Sequence, residues 1–219
     1  MKRFIVVGLG NFGSGAAETL AARGHEVIAI DTDEAKVDAM AARIERAAVG
    51  DATQVAVLKR IGAQDANGAI VSVGDDITAS ILTTLALRDL KVPQIYVKVI
   101  SVDHARVMER QGVTETIFPE RESAIALGYR LAANGLINYI RLGPGFSIQE
   151  MAVPPSWIGK SLRELELRVR YHVQIIALRD MLHDQWFPAP DPDRPLTDSD
   201  TLVISGREED LSSVAELSD

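Results

Sequence analysis

The apolar positions of the chain follow two patterns. Up to about Pro119 they form short runs rich in β-branched residues: Phe4-Ile5-Val6-Val7, Val27-Ile28-Ala29-Ile30, Ala47-Ala48-Val49, Ala69-Ile70-Val71-Ser72-Val73, Gln94 to Val99 and Glu115 to Pro119. Such runs suit strands buried on both faces. Between them lie segments of helical period. Ser14 to Arg23 is stopped by Gly24, and Glu34 to Ile44 sets Val37, Met40, Ala41 and Ile44 on one face. Gln54 to Ile61, Ile77 to Leu90 and His104 to Gln111, closed by Gly112, complete the series. Regular alternation of strand and helix over residues 3 to 119 predicts a six-stranded parallel sheet.

From Glu120 the pattern changes. Ser123 to Tyr139 reads as a longer helix in which Ile125, Leu127, Tyr129, Leu131, Leu136, Ile137 and Tyr139 exceed what one buried face requires. A second apolar face predicts homodimerisation through a linker helix over 121–141. Gly143-Pro144-Gly145 is the expected boundary, giving domains 1–142 and 143–219. Phe146 to Val153 then alternates apolar and polar residues, as a half-exposed strand does. Ser161 and Glu164 form a capping box for a short helix. His172 to Leu178 and Thr201 to Ile204 read as strands, Pro188 to Pro195 as a loop and Glu208 to Leu217 as a closing helix. The fold class is therefore α/β, a Rossmann-like doubly wound parallel sheet followed by a small α+β C-terminal domain.

The chemistry is concentrated at the first strand-to-helix turn. Gly8-Leu9-Gly10-Asn11-Phe12-Gly13 follows a buried strand and opens a helix, and Asp31 stands at the end of the next strand. Gly8 permits the turn, Gly10 lets a pyrophosphate approach the backbone, and Gly13 lets the helix lie against the strand. The helix N-terminus offers N–H donors to phosphate, and an acid about 20 residues on accepts hydrogen bonds from ribose hydroxyls. A 2′-phosphate would meet that carboxylate, which disfavours NADP. In a doubly wound sheet the third strand is expected to end beside the first, so Asp51, Ala52 and Thr53 should face the adenosine, with Thr53 equally a helix N-cap. The turn at Val73 and Gly74 should line the same pocket. Lys98, near the carboxyl end of the fifth strand, is either a snorkelling surface lysine or the partner of a phosphate or carboxylate in the cleft.

Composition narrows the classes. The 219 residues carry a formal net charge of −8 and are 47% hydrophobic, so nothing favours nucleic acid as a partner. There is no cysteine, which excludes disulfides and thiolate metal sites. No window is long and apolar enough for a membrane span, and a start of Met1-Lys2-Arg3 running directly into a strand lacks the features of a secretory signal, so a cytoplasmic location is expected.

The glycine motif, His25-Glu26-Val27, Asp31-Thr32-Asp33, Gly50-Asp51-Ala52-Thr53 and Phe118-Pro119-Glu120 resemble the regulator-of-potassium-conductance (RCK, or KTN) domain. Ile158 to Leu165 and Val173 to Leu178 resemble the RCK C-terminal (TrkA-C) domain. One copy of each without a pore is similar to the KtrA/TrkA-type cytosolic subunits of potassium uptake systems. The resemblance implies a homodimer assembling into a homo-octamer ring, peripheral to the inner face of the cell membrane beneath a KtrB/TrkH-like translocating subunit. It also implies Gly8, Gly10, Asn11, Phe12 and Gly13 around the phosphates, Asp31, Thr32 and Asp33 at the ribose, Asp51 with Ala52 along the adenine, and Lys98 near the phosphates. Glu120 matches an acid that meets its dimer mate around a divalent cation, Mg or Ca; stabilisation of a helix N-terminus is the alternative. Members that sense ATP usually carry arginine where Asn11 stands, so ADP, ATP, AMP and NAD(H) all remain candidates. Some relatives bind cyclic di-AMP in the C-terminal domain, for which Arg168, Arg170 and His172 are candidates, although exposed charges beside a strand explain them equally.

The alternative class is an NAD-dependent oxidoreductase, which needs a general acid or base beside the hydride site. Of His25, His104, His172 and His183, only His104 is expected near the cleft, and no acid stands in register with it. A ligand-gated regulatory subunit, not an enzyme, is the expected class.

Overall fold

A computed structural model describes residues 1–132 and 135–218. Its contacts divide the chain into two compact units, Met1–Glu120 and Arg121–Asp219.

The first unit alternates strictly. Strands β1 (Arg3–Val7), β2 (Glu26–Asp31), β3 (Arg46–Val49), β4 (Gly68–Val71), β5 (Ile95–Lys98) and β6 (Glu115–Ile117) pair in parallel in the order β3-β2-β1-β4-β5-β6. Helices α1 (Asn11–Ala22), α2 (Glu34–Ala41), α3 (Val55–Arg60), α4 (Ile77–Asp89) and α5 (Val102–Arg110) make the crossovers. Residue parity explains why both faces need cover. Ile5, Val7, Ile28, Ile30, Val71 and Val97 enter one core with Leu58, Leu87 and Met108 from α3, α4 and α5. Val6, Val27, Ala29 and Ile70 enter another with Ala17, Val37 and Met40 from α1 and α2. Each fully buried isoleucine of these clusters contributes about 1.5–3 kcal/mol. The order reverses between β1 and β4, the place where ligands of such sheets bind. One expectation is corrected: β3 lies beside β2, not beside β1, because the right-handed crossovers through α1 and α2 both wind to the same side.

Helix α6 (Pro119–Ala132) follows β6. It ends well before residue 141, and the expected continuous linker helix is replaced by strand β7 (Leu136–Gly143); residues 133 and 134 of the expected run lie outside the described residues. The reason is pairing. Gly143-Pro144-Gly145 is a hairpin turn with Gly145 at φ +70°, and β7 folds back in antiparallel register on β8 (Phe146–Ala152). Leu136 to Tyr139 satisfies both helical and strand spacing, and the long-range ladder decides between them.

In the second unit β10 (Gln185–Phe187), β9 (Gln174–Asp180) and β11 (Asp200–Arg207) join β8 and β7 in an antiparallel sheet of order β10-β9-β11-β8-β7. Short helices α7 (Leu162–Leu165) and α8 (Leu167–Arg170) and the closing α9 (Glu208–Ala215) pack on a core of Met151, Trp157, Leu178, Leu202, Ile204 and Leu211. The expected capping box is present, Ser161 accepting from the Glu164 amide and Glu164 from the Ser161 amide. Trp157 is buried in this core, whereas Trp186 on β10 is half exposed beneath the Arg179 guanidinium. Tyr129 of α6 stacks on Tyr139 of β7 at 4.2 Å, and the Tyr139 hydroxyl donates to Glu208 at 2.7 Å. Burial and that carboxylate push the Tyr139 phenol well above its usual range.

Candidate functional site

The turn from β1 into α1 is built by the glycines. Gly8 adopts φ +88° and donates its amide to the Ile30 carbonyl at 2.9 Å; a Cβ there would overlap the Ser72 carbonyl. A Cβ on Gly13 would overlap the carbonyl oxygen of Gly8, so the absent side chain lets α1 close on the turn itself as well as on the strand. Gly10 differs from both. It is exposed, a Cβ there would meet nothing within 4 Å, and as N-cap of α1 it supplies no side-chain acceptor. The first turn of α1 therefore starts beside open space at Gly10 with no side-chain cap over it, an arrangement suited to an anion. The Asn11 side chain is exposed and Phe12 is half-buried.

The acidic wall stands at the end of β2. Asp31 Oδ2 accepts from the Leu9 amide at 2.6 Å and Oδ1 from the Asp33 amide at 2.9 Å, so this carboxylate fastens the glycine turn. Asp33 is the N-cap of α2, accepting from Ala35 and Lys36, and Thr32 between them is exposed. The turn after β3 abuts this wall, the Gly50 amide donating to the Asp31 carbonyl at 2.9 Å. There Asp51 accepts from both the amide and the hydroxyl of Thr53, which holds its carboxyl below the usual range. Thr53 is thus spent on Asp51. The expected Thr53 cap is corrected, since Gln54 occupies the N-cap of α3 without a side-chain bond. Ala52 is buried. On the far side, β4 leaves the sheet through Val73, half-buried, and Gly74, at φ +66°.

Lys98 ends β5, one residue beyond the Val71–Val97 pair, with its side chain 16% exposed. Its ammonium lies 2.5 Å from Glu120 Oε1, on the first turn of α6. Of the two sequence readings, a charged partner is the one observed, and that partner is a carboxylate of this chain. Lys98 and the helix backbone hold the Glu120 carboxyl below the usual range.

The histidine expected near the cleft, His104, makes its polar contact inside the protein. It is buried between α4 and α5, Nε2 lies 3.1 Å from Ser80 Oγ, Nδ1 has no hydrogen-bond partner among the described residues, and burial holds its pKa down. Ser101 caps α5 and accepts from the His104 amide.

In the second unit, Arg168 borders two cavities. The larger, about 580 Å³, is lined by Leu167, Val169, Ile175, Ile176 and Pro190 with Arg168 and Gln174. The smaller, about 290 Å³, brings Arg168 together with His172, Arg207 and Asp210. Arg170 lines neither and pairs with Glu166 at 3.4 Å. The apolar lining went unrecognised in the sequence; its one signal was the proline-rich loop, whose Pro188, Pro190 and Pro192 close one wall.

The TrkA-N domain family model matches residues 4–119 and the TrkA-C domain family model residues 148–219. The Ktr system potassium uptake protein A of Bacillus subtilis (strain 168) is 34% identical over 210 residues, 96% of this chain and 94% of that protein. Among solved structures, the GsuK channel bound to NAD superposes with a TM-score of 0.55 at 23% identity, over 99% of this chain and 38% of that one, a likeness of fold. The chain thus spans well under half the length of that channel. The AMP-bound Kef CTD of Shewanella denitrificans gives a TM-score of 0.53 at 25% identity, over 59% of this chain and 79% of that one.

Proposed function

The chain belongs to the TrkA-N/TrkA-C family of Ktr and Trk potassium-uptake proteins, and from that premise we propose a nucleotide-binding regulatory subunit that controls potassium flux through a KtrB/TrkH-like membrane partner. The observation that carries the nucleotide reading is the uncapped start of α1 beside open space at Gly10, with Asp31 fastened to the same turn. Phosphates lie against the amides of Asn11, Phe12 and Gly13, the ribose meets Asp31 and Asp33 with Thr32 at the rim, and the adenine runs along Asp51, Ala52 and Thr53. Val73 and Gly74 form the opposite wall and Lys98 supplies the countercharge. The AMP carried by the Kef CTD supports an adenine ligand, and Asn11, lacking a guanidinium, favours ADP, AMP or NAD(H) over selective ATP recognition.

The nucleotide acts as a signal. A ligand shifts a two-state equilibrium only through its differential affinity for the two shapes, so the subunit must hold nucleotide differently when the partner conducts and when it does not. Helix α6, with no buried residue and with Leu127 and Leu131 exposed, is the candidate dimer contact from which an octameric ring is built. Glu120 is the candidate ligand for Mg or Ca at that contact. The cavity beside Arg168 is the candidate place for cyclic di-AMP, its volume falling within the usual range for small-molecule sites. Among the described residues no helix is long and apolar enough to cross a membrane, consistent with a peripheral subunit at the inner face. His104, the one acid–base group nominated for a dehydrogenase, is buried and lies against Ser80.

Calorimetric titration of the purified chain with ADP, ATP, AMP, NADH and NADPH, paired with rubidium flux through vesicles holding the membrane partner, tests the proposal. Binding of an adenine nucleotide without a 2′-phosphate, changing flux without being consumed, is expected. Oxidation of NADH coupled to a small substrate, or no binding at all, overturns it.

A further inference from the structure

The Lys98–Glu120 pair occupies a place that the strand register makes informative. Val6, Ile70 and Tyr96 are aligned across β1, β4 and β5, and two residues on along each strand stand Gly8, Ser72 and Lys98. Ser72 and Lys98 face the side of the sheet on which α1 lies, since Ala17 of α1 packs in the core of Val6 and Ile70. Ser72 touches the glycine turn directly: a Cβ at Gly13 would lie 3.6 Å from the Ser72 Cβ. Lys98 is thus two strand spacings, about 10 Å, from Gly8 and on the face where α1 begins. Its four-carbon stem lets the ammonium swing toward the first-turn amides or toward α6. In this structure it is turned to Glu120.

Glu120 is well placed to give the lysine up. Its side chain is 61% exposed, so the pair is screened by solvent and weakly held despite its short distance. Its carboxylate sits on the first turn of a fourteen-residue helix, where the helix field continues to favour a negative charge once the lysine has left. The cost of exchanging partners is correspondingly small.

We propose that Glu120 is a built-in competitor of the ligand phosphate for Lys98. Resting on the nucleotide reading above, the inference is that phosphates at the start of α1 draw the ammonium from α6, and that release of the Glu120 carboxylate couples occupancy of the cleft to the first turn of this helix. Glu120 then lowers the affinity of the cleft in proportion to the strength of the ion pair, and any nucleotide held without Lys98 leaves α6 tied.

The test is a double-mutant cycle on the full chain, with ADP as probe, by calorimetry in EDTA so that no divalent cation bridges Glu120. Glu120→Gln is expected to tighten ADP roughly two- to fivefold, the range set by a solvent-screened pair, and Lys98→Met to weaken it. In the Lys98→Met background the Glu120→Gln gain should vanish, which distinguishes competition for one ammonium from a general repulsion between Glu120 and phosphate. Affinity unchanged or weakened by Glu120→Gln, or a gain that persists without Lys98, overturns the inference while leaving the nucleotide reading intact. A wild-type chain that binds no adenine nucleotide overturns both.

Discussion

The amide of Leu9 lies 2.6 Å from Oδ2 of Asp31, so the acid at the end of β2 is a structural part of the turn that leaves β1. Asp31→Ala leaves that amide without its acceptor, which costs on the order of 1–3 kcal/mol where water cannot replace it fully. The variant should unfold at lower urea concentration and also lose ADP affinity at least tenfold. Urea melts and calorimetry measure the two effects separately, and a variant with both unchanged contradicts the assigned place of Asp31.

Two glycines of the same turn should respond in opposite ways. Gly13→Ala drives a methyl group into the Gly8 carbonyl, and overpacking of that kind costs roughly 1–3 kcal/mol before any ligand is added. Gly10→Ala meets open space at an ordinary φ of −73° and should cost well under about 1 kcal/mol. Its methyl group instead stands where the pyrophosphate approaches, so binding is lost with stability largely retained. Thermal melts with and without ADP compare the two.

Acid should weaken the first unit through His104. Burial lowers its pKa below the ordinary 6.5, so the unfolded chain takes up a proton more readily than the folded one. Stability from this residue is complete above about 6.5 and declines as the pH falls from there toward the folded value. Urea unfolding followed down through this window should show the decline, and His104→Asn, although less stable throughout, should lose this component of the slope.

Arg168 and Arg170 separate the candidate cavity of the second unit from its surface charge. Arg168→Ala should weaken cyclic di-AMP, whereas Arg170→Ala, which removes only the Glu166 pair, should leave it within about twofold. Neither change should alter ADP binding. Equal losses from both variants point to general electrostatic attraction instead of a cavity site.

The parallel sheet was legible because its evidence is local: Phe4 to Val7 of β1 is an unbroken apolar run, Gly8, Gly10 and Gly13 follow at fixed spacing, and Asp31 ends the next strand. What escaped depends on distant partners. Leu136 to Tyr139 carries no local preference strong enough to reject a helix, and only pairing with β8 across the Pro144-Gly145 turn makes it a strand. Thr53 reads as a cap until the Asp51 carboxylate takes its amide and hydroxyl. Spacing places His104 just after the fifth strand, but only packing against Ser80 of α4 buries it. Lys98 and Glu120, separated by 22 positions in the sequence, meet only because β5, β6 and α6 follow one another in space.

Both tryptophans of the chain, Trp157 and Trp186, stand in the second unit, one enclosed by its core and one under Arg179 at a sheet edge. The glycine turn and Asp31 stand in the first. Intrinsic indole fluorescence therefore reports on the second unit, and any quenching or spectral shift that follows ADP addition is a change in the surroundings of Trp157 or Trp186.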